Sequence, residues 1–136
     1  MSRLDSVIRR LQAQRICLDW AVGEISGRPG PVLELGLGNG RTYDHLRDRL
    51  SGGDPGREIF VFEREVAAHP DCVPDDAHLL LGDVYDSMPG AMARIGAPAV
   101  LAHSDIGTGD EGLSAALASF VGPALGPLLA PGAVIA

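Results

Sequence analysis

Short apolar runs alternate with segments of helical spacing along the whole chain. Five of these runs have the length of buried strands, and they lie at residues 32–35, 59–62, 79–81, 99–103 and 133–136. Alternating strands and helices favour a parallel sheet with right-handed crossovers. We therefore predict an α/β fold with a doubly wound, mainly parallel sheet of five visible strands and helices on both faces.

The longest helical pattern lies at the N-terminus. Apolar residues recur there with helical spacing, at Leu4, Val7, Ile8, Leu11, Leu18, Val22 and Ile25. Ser2 and Asp5 are suited to cap the start of the helix, and the pattern ends near Ser26. We predict that residues 1–27 form a helical extension that covers one side of the sheet.

The remaining helical patterns are shorter. Helical spacing follows Arg41 and recurs at residues 85–95 and 113–121, whereas prolines and acids at residues 66–78 favour short or irregular structure. Pro131-Gly132 predicts a turn into the last apolar run.

Length and composition are those of one domain. The chain has 136 residues and a formal net charge of -7, and residues 50–136 hold three Arg against twelve carboxylates. This charge argues against nucleic acid as a partner, because a phosphate backbone rewards clustered cations. All basic residues are Arg, which excludes lysine chemistry.

The chain also lacks the segments that direct a protein to a membrane or for export. No apolar run approaches the roughly 20 residues that span a bilayer, and the N-terminus has no signal-peptide pattern. Cys17 and Cys72 have no metal-binding spacing, and a chain of this size needs no disulfide. We expect a cytoplasmic protein with no membrane partner.

A glycine-rich segment follows the first predicted strand. Gly36, Gly38 and Gly40 alternate there before a helical pattern begins at Arg41. Glycine has no Cβ and tolerates positive φ, so such a loop passes close beneath a ligand at the carboxyl end of a strand.

Polar residues stand at the ends of the other predicted strands, at Glu63, Asp83, His103 and Asp105. Ligands of open α/β sheets bind at these carboxyl ends. Glu63 lies 23 residues after Gly40, where a carboxylate can accept both ribose hydroxyls of an adenosine.

The glycine pattern distinguishes between cofactors. In G-x-G-x-x-G/A the third small residue allows close helix packing beside a pyrophosphate, and here that position is Arg41. The pattern that fits is E-x-G-x-G-x-G, beginning at Glu34. A nucleotide-dependent oxidoreductase and a non-enzymatic binding module remain open as alternatives.

With Glu63, Gly82-Asp83 and the turn at residues 129–132, this motif resembles the class I S-adenosylmethionine (SAM)-dependent methyltransferases. The resemblance covers residues 32–136 and extends to a small bacterial branch of that family. It implies a Rossmann-like fold, SAM as cofactor, and a single SAM-binding domain over residues 1–136. The acceptor is expected to be a small molecule, because no Asn-Pro-Pro-Tyr motif of nucleic-acid methylases is present.

The same resemblance assigns roles to individual residues. It implies that the loop from Gly36 to Gly40 lies beneath the methionine and ribose of SAM, and that Glu63 accepts the ribose hydroxyls. Arg64 would flank the adenine, and Asp83 with Val84 would meet its edge. The full set of implied cofactor residues is Glu34, Gly36, Leu37, Gly38, Asn39, Gly40, Thr42, Glu63, Arg64, Asp83 and Val84.

His103 and Asp105 are the candidates for catalysis. Methyl transfer from a sulfonium is an in-line displacement, and a base matters only if the nucleophile arrives protonated. Against this, His103 also fits a hydrogen-bonded histidine packed at the sheet end. Asp105, Asp110 and Glu111 lie close in sequence, but acids in a loop are commonly solvated, and we predict no metal.

The chain departs from the family at its end. A full class I domain usually adds a sixth and a seventh strand, so those strands are expected to be missing here. The resulting open sheet edge invites pairing with another chain. Either the chain is a fragment or a partner covers that edge, in which case we expect a homo-oligomer through the edge or through the N-terminal helix.

Overall fold

The computed structural model describes residues 1–53, 56–106 and 110–136. Its centre is one sheet of five parallel strands in the order β3-β2-β1-β4-β5. The strands are β1 (Val32–Leu35), β2 (Ile59–Glu63), β3 (Leu79–Leu81), β4 (Ala99–Ser104) and β5 (Leu129–Ile135). This confirms the predicted α/β fold with a doubly wound parallel sheet.

In the described part of the chain, one helix precedes the first strand, and four helices and three short 3-10 turns lie between the strands. The helices are α1 (Arg3–Glu24), α2 (Arg41–Leu50), α3 (Val84–Ser87), α4 (Met92–Ile95) and α5 (Glu111–Leu125). The 3-10 turns are Pro70–Cys72, Asp76–His78 and Gly126–Leu128. The irregular structure predicted for residues 66–78 is thus observed.

The helices pack on both faces of the sheet, because successive residues of a strand point to opposite sides. On one face, Leu18 and Ala21 of α1 pack with Leu46 of α2 against strand residues that include Val61. On the other face, the helices α3, α4 and α5 cover a second group of strand residues, among them Leu33, Leu35, Phe62 and Ala102. The sheet is therefore buried between two helical layers.

The helix α1 has its predicted cap but covers less of the sheet than expected. The Ser2 hydroxyl accepts the backbone amide of Asp5 at 3.0 Å, and the Asp5 carboxylate accepts the Ser2 amide at 3.0 Å. Its second half is buried at Leu18 and Ala21, whereas Leu4 in its first half is 68% exposed. The first half of α1 lies beside the residues that follow β1, since Leu11 and Gly36 line the same cavity, and its apolar stripe stays largely exposed.

Three predicted boundaries differ from the structure. Residues 85–95 form two short helices, α3 and α4, because Gly90 between them has a φ of +76°. The helix α5 begins before residue 113, since the Asp110 side chain caps it by accepting the Leu113 amide at 2.9 Å. The strand β5 already begins at Leu129, so Pro131-Gly132 lies inside it, where the β4–β5 register shifts.

Within the described residues, β3 and β5 form the two edges of the sheet. The described helices include none that is both long and apolar enough to cross a lipid bilayer. Two predicted loops are described only in part, because they include residues 54–55 and 107–109, which lie outside the described ranges.

Candidate functional site

The glycine loop joins β1 to α2 at the carboxyl edge of the sheet. Gly40 has a φ of +84°, and a Cβ there would lie 2.5 Å from the Cβ of Cys72 and 2.9 Å from its carbonyl oxygen. A Cβ on Gly36, where φ is +88°, would overlap the side chain of Ile106. A Cβ on Gly38 would meet no atom within 4 Å. Two of the glycines are therefore required by packing inside the protein, and Gly38 alone of the three faces open space.

Glu63, the last residue of β2, holds this loop through its side chain. Its Oε2 accepts the backbone amides of Leu37 at 2.7 Å and Gly38 at 2.9 Å, while Oε1 accepts the amide of Arg64 at 2.7 Å. A carboxylate offers about four lone-pair directions, so Glu63 keeps accepting capacity for a ligand hydroxyl. The contact with the loop amides was not predicted from the sequence.

A cavity of about 480 Å³ opens between the glycine loop and α5. It brings together seven of the predicted site residues, namely Gly36, Gly38, Glu63, Arg64, Asp83, Val84 and Asp105. Its volume falls in the range of small-molecule sites. Asp83 also caps α3, since its Oδ1 accepts the Tyr85 amide at 3.0 Å. This cavity, called the larger cavity below, thus contains the residues that the resemblance assigned to the ribose and adenine of SAM.

Hydrophobic residues that the sequence did not single out complete this larger cavity. Tyr85, Ile106, Leu113 and Leu117 line it, and the Tyr85 ring stacks on Phe120 with centroids 4.5 Å apart. A signal was available for Ile106, which directly follows Asp105 in the chain. The helical residues carry no comparable signal, because their spacing is that of any core-facing helix.

A second, smaller cavity of about 140 Å³ lies on the α1 side of the loop. Three further predicted residues, Leu37, Asn39 and Thr42, line it, together with Gly36, Gly38 and Asp105. Its outer wall consists of Arg10, Leu11 and Gln14 of α1, which the sequence did not identify. The Gln14 Nε2 donates to Asp105 Oδ2 at 3.1 Å.

Two predicted site residues, Glu34 and His103, form a buried pair beneath the loop. His103 Nδ1 lies 2.6 Å from Glu34 Oε1, and the two residues are 5% and 0% exposed. They are register partners on β1 and β4. The second oxygen, Glu34 Oε2, is buried and has no hydrogen-bond partner in the described part of the chain. The Thr42 hydroxyl lies close enough to Glu34 to favour the charged form of its carboxylate. It does not form a hydrogen bond of ordinary geometry with Oε2.

Burial and pairing shift both pKa values. Burial raises the pKa of Glu34, and the hydrogen bond and charge of His103 oppose that rise only in part. For His103, burial lowers the pKa, but the hydrogen bond and charge of Glu34, with a contribution from Asp105, outweigh it and the pKa is raised. Both groups therefore bind a proton more readily in the folded protein than at their ordinary pKa values.

The two residues predicted to be catalytic thus lie in different surroundings. Asp105 lines both cavities, whereas His103 lies below them in the layer between the sheet and α1 and α2.

Over residues 1–53, 56–106 and 110–136, no group of three or more His, Cys, Asp and Glu side chains is placed to hold a metal ion.

Comparison with known proteins gives a consistent result. A family model described as S-adenosyl-L-methionine methyltransferase matches residues 1–136. The fold is similar to the crystal structure of an S-adenosyl-L-methionine methyl transferase from Silicibacter pomeroyi DSS-3. That chain is 46% identical, with a TM-score of 0.85, over 99% of this chain and 80% of the other. No curated protein matches.

Proposed function

The chain belongs to the S-adenosyl-L-methionine methyltransferase family, and from this premise we propose that it methylates a small molecule at the carboxyl edge of β1 and β4. SAM is its cofactor and methyl transfer its reaction. The family match sets aside the alternatives of an oxidoreductase and of a non-enzymatic binding module. The proposal therefore concerns the acceptor and the residues that act.

The observation that carries the proposal is the larger cavity beside Glu63. Three of the roughly four lone-pair directions of Glu63 are filled by backbone amides, so the carboxylate is suited to accept one ribose hydroxyl, and Gly38 leaves open space above the loop. Arg64, Asp83 and Val84 surround the position proposed for the adenine. This donor and acceptor set fits an adenosine, so these residues and the loop are proposed to hold SAM.

SAM supplies an electrophilic methyl group with a neutral thioether as the leaving group. The protein then has to hold the acceptor atom in line, and positioning of this kind is worth about 7 to 11 kcal/mol in favourable cases. Both cavities are lined by Gly36, Gly38 and Asp105, which supports a transfer point beside these residues. Asp105 is proposed to orient the acceptor and to take its proton where the nucleophile arrives protonated.

His103 is proposed to act on this site from below. The hydrogen bond and charge of Glu34 and the charge of Asp105 raise the pKa of His103 against the effect of burial. Because His103 is buried, we assign it to positioning and electrostatics and leave contact with the acceptor to Asp105.

Calorimetric titration tests the cofactor site. We expect SAM and S-adenosylhomocysteine to bind, and NAD and NADP to give no heat of binding. Binding of NAD without SAM would contradict the assignment of the larger cavity.

The acceptor class needs a separate experiment. The enzyme is incubated with methyl-labelled SAM and a cell extract, and the products are then separated by ultrafiltration. We expect label in the small-molecule filtrate that depends on active enzyme. Label confined to the retained protein or nucleic acid would contradict the proposal.

Location and assembly are further parts of the proposal. A cytoplasmic setting is supported by two free cysteines, Cys17 and Cys72. Self-association is supported by exposed apolar residues of α1 such as Leu4. Light scattering over a range of protein concentrations tests it, and a monomer mass throughout would contradict it.

A further inference from the structure

We propose that a cavity at the amino end of β2 is a second ligand site, in which Arg47 and Arg57 bind the oxyanion group of a small organic molecule. This cavity, called the third cavity below, has a volume of about 360 Å³. Its walls are α2, the residues that lead into β2, and the residues between Pro74 and His78. Its volume falls in the range of small-molecule sites.

The third cavity is separate from the two cavities at the glycine loop. No described residue lines both the third cavity and either of the other two. Ile59, the first residue of β2, lines the third cavity, whereas Glu63 at the other end of β2 lines the larger cavity. Four steps of a parallel strand separate these two residues by about 13 Å. A ligand of the third cavity is therefore not the proposed cofactor.

Arg57 is held in place by backbone oxygens and not by a carboxylate. Its Nη1 donates to Gly30 O at 2.5 Å and its Nη2 to Ile25 O at 3.2 Å. A guanidinium has five N–H donors, so these two bonds leave three of them. Burial lowers the pKa of Arg57, and no charge of a described residue opposes that effect. A half-buried cation of this kind gains when an anion binds to it.

Arg47 reaches the same cavity from α2, and its position is fixed as well. Its guanidinium carbon lies 5.2 Å from the centre of the Tyr43 ring. Its Nη2 donates to Asp44 Oδ1 and to the backbone oxygen of Asp71, both at 2.6 Å. Both bonds use Nη2, so donors of the guanidinium remain even beside the Tyr43 hydroxyl, with which it also interacts. Because Arg47 and Arg57 are already ordered, a ligand loses less affinity to the ordering of side chains.

The two carboxylates that line the third cavity belong to Asp75 and Glu58, and both lie close to His78. Asp75 Oδ1 is 2.6 Å from His78 Nδ1 and accepts the His78 amide at 3.0 Å. Glu58 Oε1 is 3.9 Å from His78 Nε2. Among the described residues, the ion-pair partner of Arg47 is Asp44, which lies outside the cavity lining. The donors of the two arginines are therefore left for an anion from solution, and guanidinium groups bind carboxylates and phosphates with parallel hydrogen bonds.

The remaining lining favours an organic ligand over a bare ion. Leu50, Ile59 and Pro74 line the third cavity together with the Tyr43 side chain. An apolar or aromatic body can pack against these residues while its charged group contacts the arginines. The expected ligand is therefore a small molecule with a phosphate or carboxylate group on an apolar body.

Nuclear magnetic resonance titrations of the wild type with four probes test this site. Phenyl phosphate and benzoate carry an oxyanion and a ring, inorganic phosphate carries only the oxyanion, and benzyl alcohol carries only the ring. We expect phenyl phosphate or benzoate to cause saturable shifts of the backbone amides of Arg47 and Arg57. Inorganic phosphate should bind more weakly and benzyl alcohol should not bind. The tighter of the first two probes shows whether the site selects a phosphate or a carboxylate.

Arg47→Ala removes one of the two guanidinium groups. We expect the affinity for the tighter probe to fall at least about tenfold, as for the loss of a charge-assisted hydrogen bond. Arg49→Ala is the matched control, because Arg49 is a half-exposed arginine of the same helix outside the third cavity, and it should bind as the wild type does. Arg57→Ala should lose at least as much as Arg47→Ala. Because Arg57 also bonds two backbone oxygens, Arg47→Ala decides the outcome if Arg57→Ala does not fold.

A final titration is made in the presence of saturating S-adenosylhomocysteine, which should leave the affinity for the probe unchanged. Displacement of the probe by S-adenosylhomocysteine would overturn the inference, because the probe would then lie in the cofactor site. Shifts that grow without saturation, or equal losses in Arg47→Ala and Arg49→Ala, would also overturn it. Either result would show a general attraction of anions to surface arginines.

Discussion

The strands β2 and β4 both flank β1, yet their predicted functional residues have opposite surroundings. Glu63 bonds the loop amides and lines the larger cavity, whereas His103 is 5% exposed and pairs with buried Glu34. The β1–β2 register ends at Leu35↔Phe62, so Glu63 lies one residue past the end of β1. His103 is opposite Glu34 and lies inside the sheet.

The level of a residue relative to β1 therefore decides whether it lines a cavity. On β4 the residue at the level of Glu63 is Asp105, whose backbone amide donates to Leu35 O at 3.3 Å. Glu63 and Asp105 thus stand on either side of Gly36. The comparison teaches that a polar residue near a strand end belongs to the site only when it passes the end of the neighbouring central strand.

The largest expected effect comes from breaking the buried pair. His103→Ala leaves the Glu34 carboxylate buried without its partner, and such a loss costs about 3 to 5 kcal/mol. We expect the free energy of unfolding to fall by that amount in urea titrations near neutral pH.

The control for this prediction replaces both partners. In Glu34→Gln/His103→Gln no buried charge is left, so most of the lost free energy of unfolding should return. A loss of less than about 1 kcal/mol in His103→Ala, typical of an ordinary surface position, would show that the pair contributes little to folding.

The next effect concerns the β2 side and should appear in binding. Glu63→Ala removes the acceptor of two loop amides and the proposed ribose acceptor, and hydrogen bonds to a charged group are worth about 1.5 to 3 kcal/mol each. We expect SAM affinity to fall at least about tenfold in calorimetric titrations. The free energy of unfolding should change much less than in His103→Ala.

Amide exchange shows whether Glu63 acts through the loop. In Glu63→Ala without cofactor, the amides of Leu37 and Gly38 should exchange faster with solvent. Glu65→Ala removes the same charge from an exposed residue two positions on and should leave binding and exchange unchanged. SAM affinity equal to that of the wild type in Glu63→Ala would refute the role of Glu63.

The strands and the glycine loop could be predicted because their signals are local. Each strand is a short apolar run, and the loop is a glycine pattern within a few residues of β1. Glu63 was also identified from a local signal, its spacing from Gly40 along the chain, and it lines the larger cavity. The prediction of a turn at Pro131-Gly132 was wrong, because both residues lie within β5, where its pairing with β4 is irregular. No local signal in the sequence distinguishes a turn from such an irregularity in a strand.

The smaller cavity and the buried pair could not be predicted because they depend on distant residues. Gln14 and Asp105 are 91 positions apart, and Glu34 and His103 are 69 apart. The apolar stripe of α1 is continuous in sequence, but it does not show where the sheet beneath it ends. Only the packed structure shows that Arg10 and Gln14 lie over the glycine loop rather than over β1.

The smallest expected effect is the pH dependence of the buried pair. Because the pKa of His103 is raised above its ordinary value of 6.5 in the folded protein, protonation of His103 stabilises the fold fully below pH 6.5. This contribution is lost as the pH rises through the pKa of His103 in the folded protein. The raised pKa of Glu34 changes stability in the same direction. The free energy of unfolding falls as the pH rises from 4.5, the ordinary pKa of this group, through the pKa of Glu34 in the folded protein. Wild type should therefore lose stability relative to Glu34→Gln/His103→Gln as pH increases.

Urea titrations at intervals from pH 4 to pH 9 measure this difference between wild type and the double variant. The effect is expected to be small because the cost of burying the two charges largely offsets their attraction. A difference that stays constant with pH would show that neither group changes its pKa on folding. A difference that grows in favour of the wild type at high pH would mean that pairing lowers the pKa of Glu34 more than burial raises it. The pair would then be an ordinary ion pair, and the contrast between the β4 and β2 sides of the site would lose its electrostatic basis.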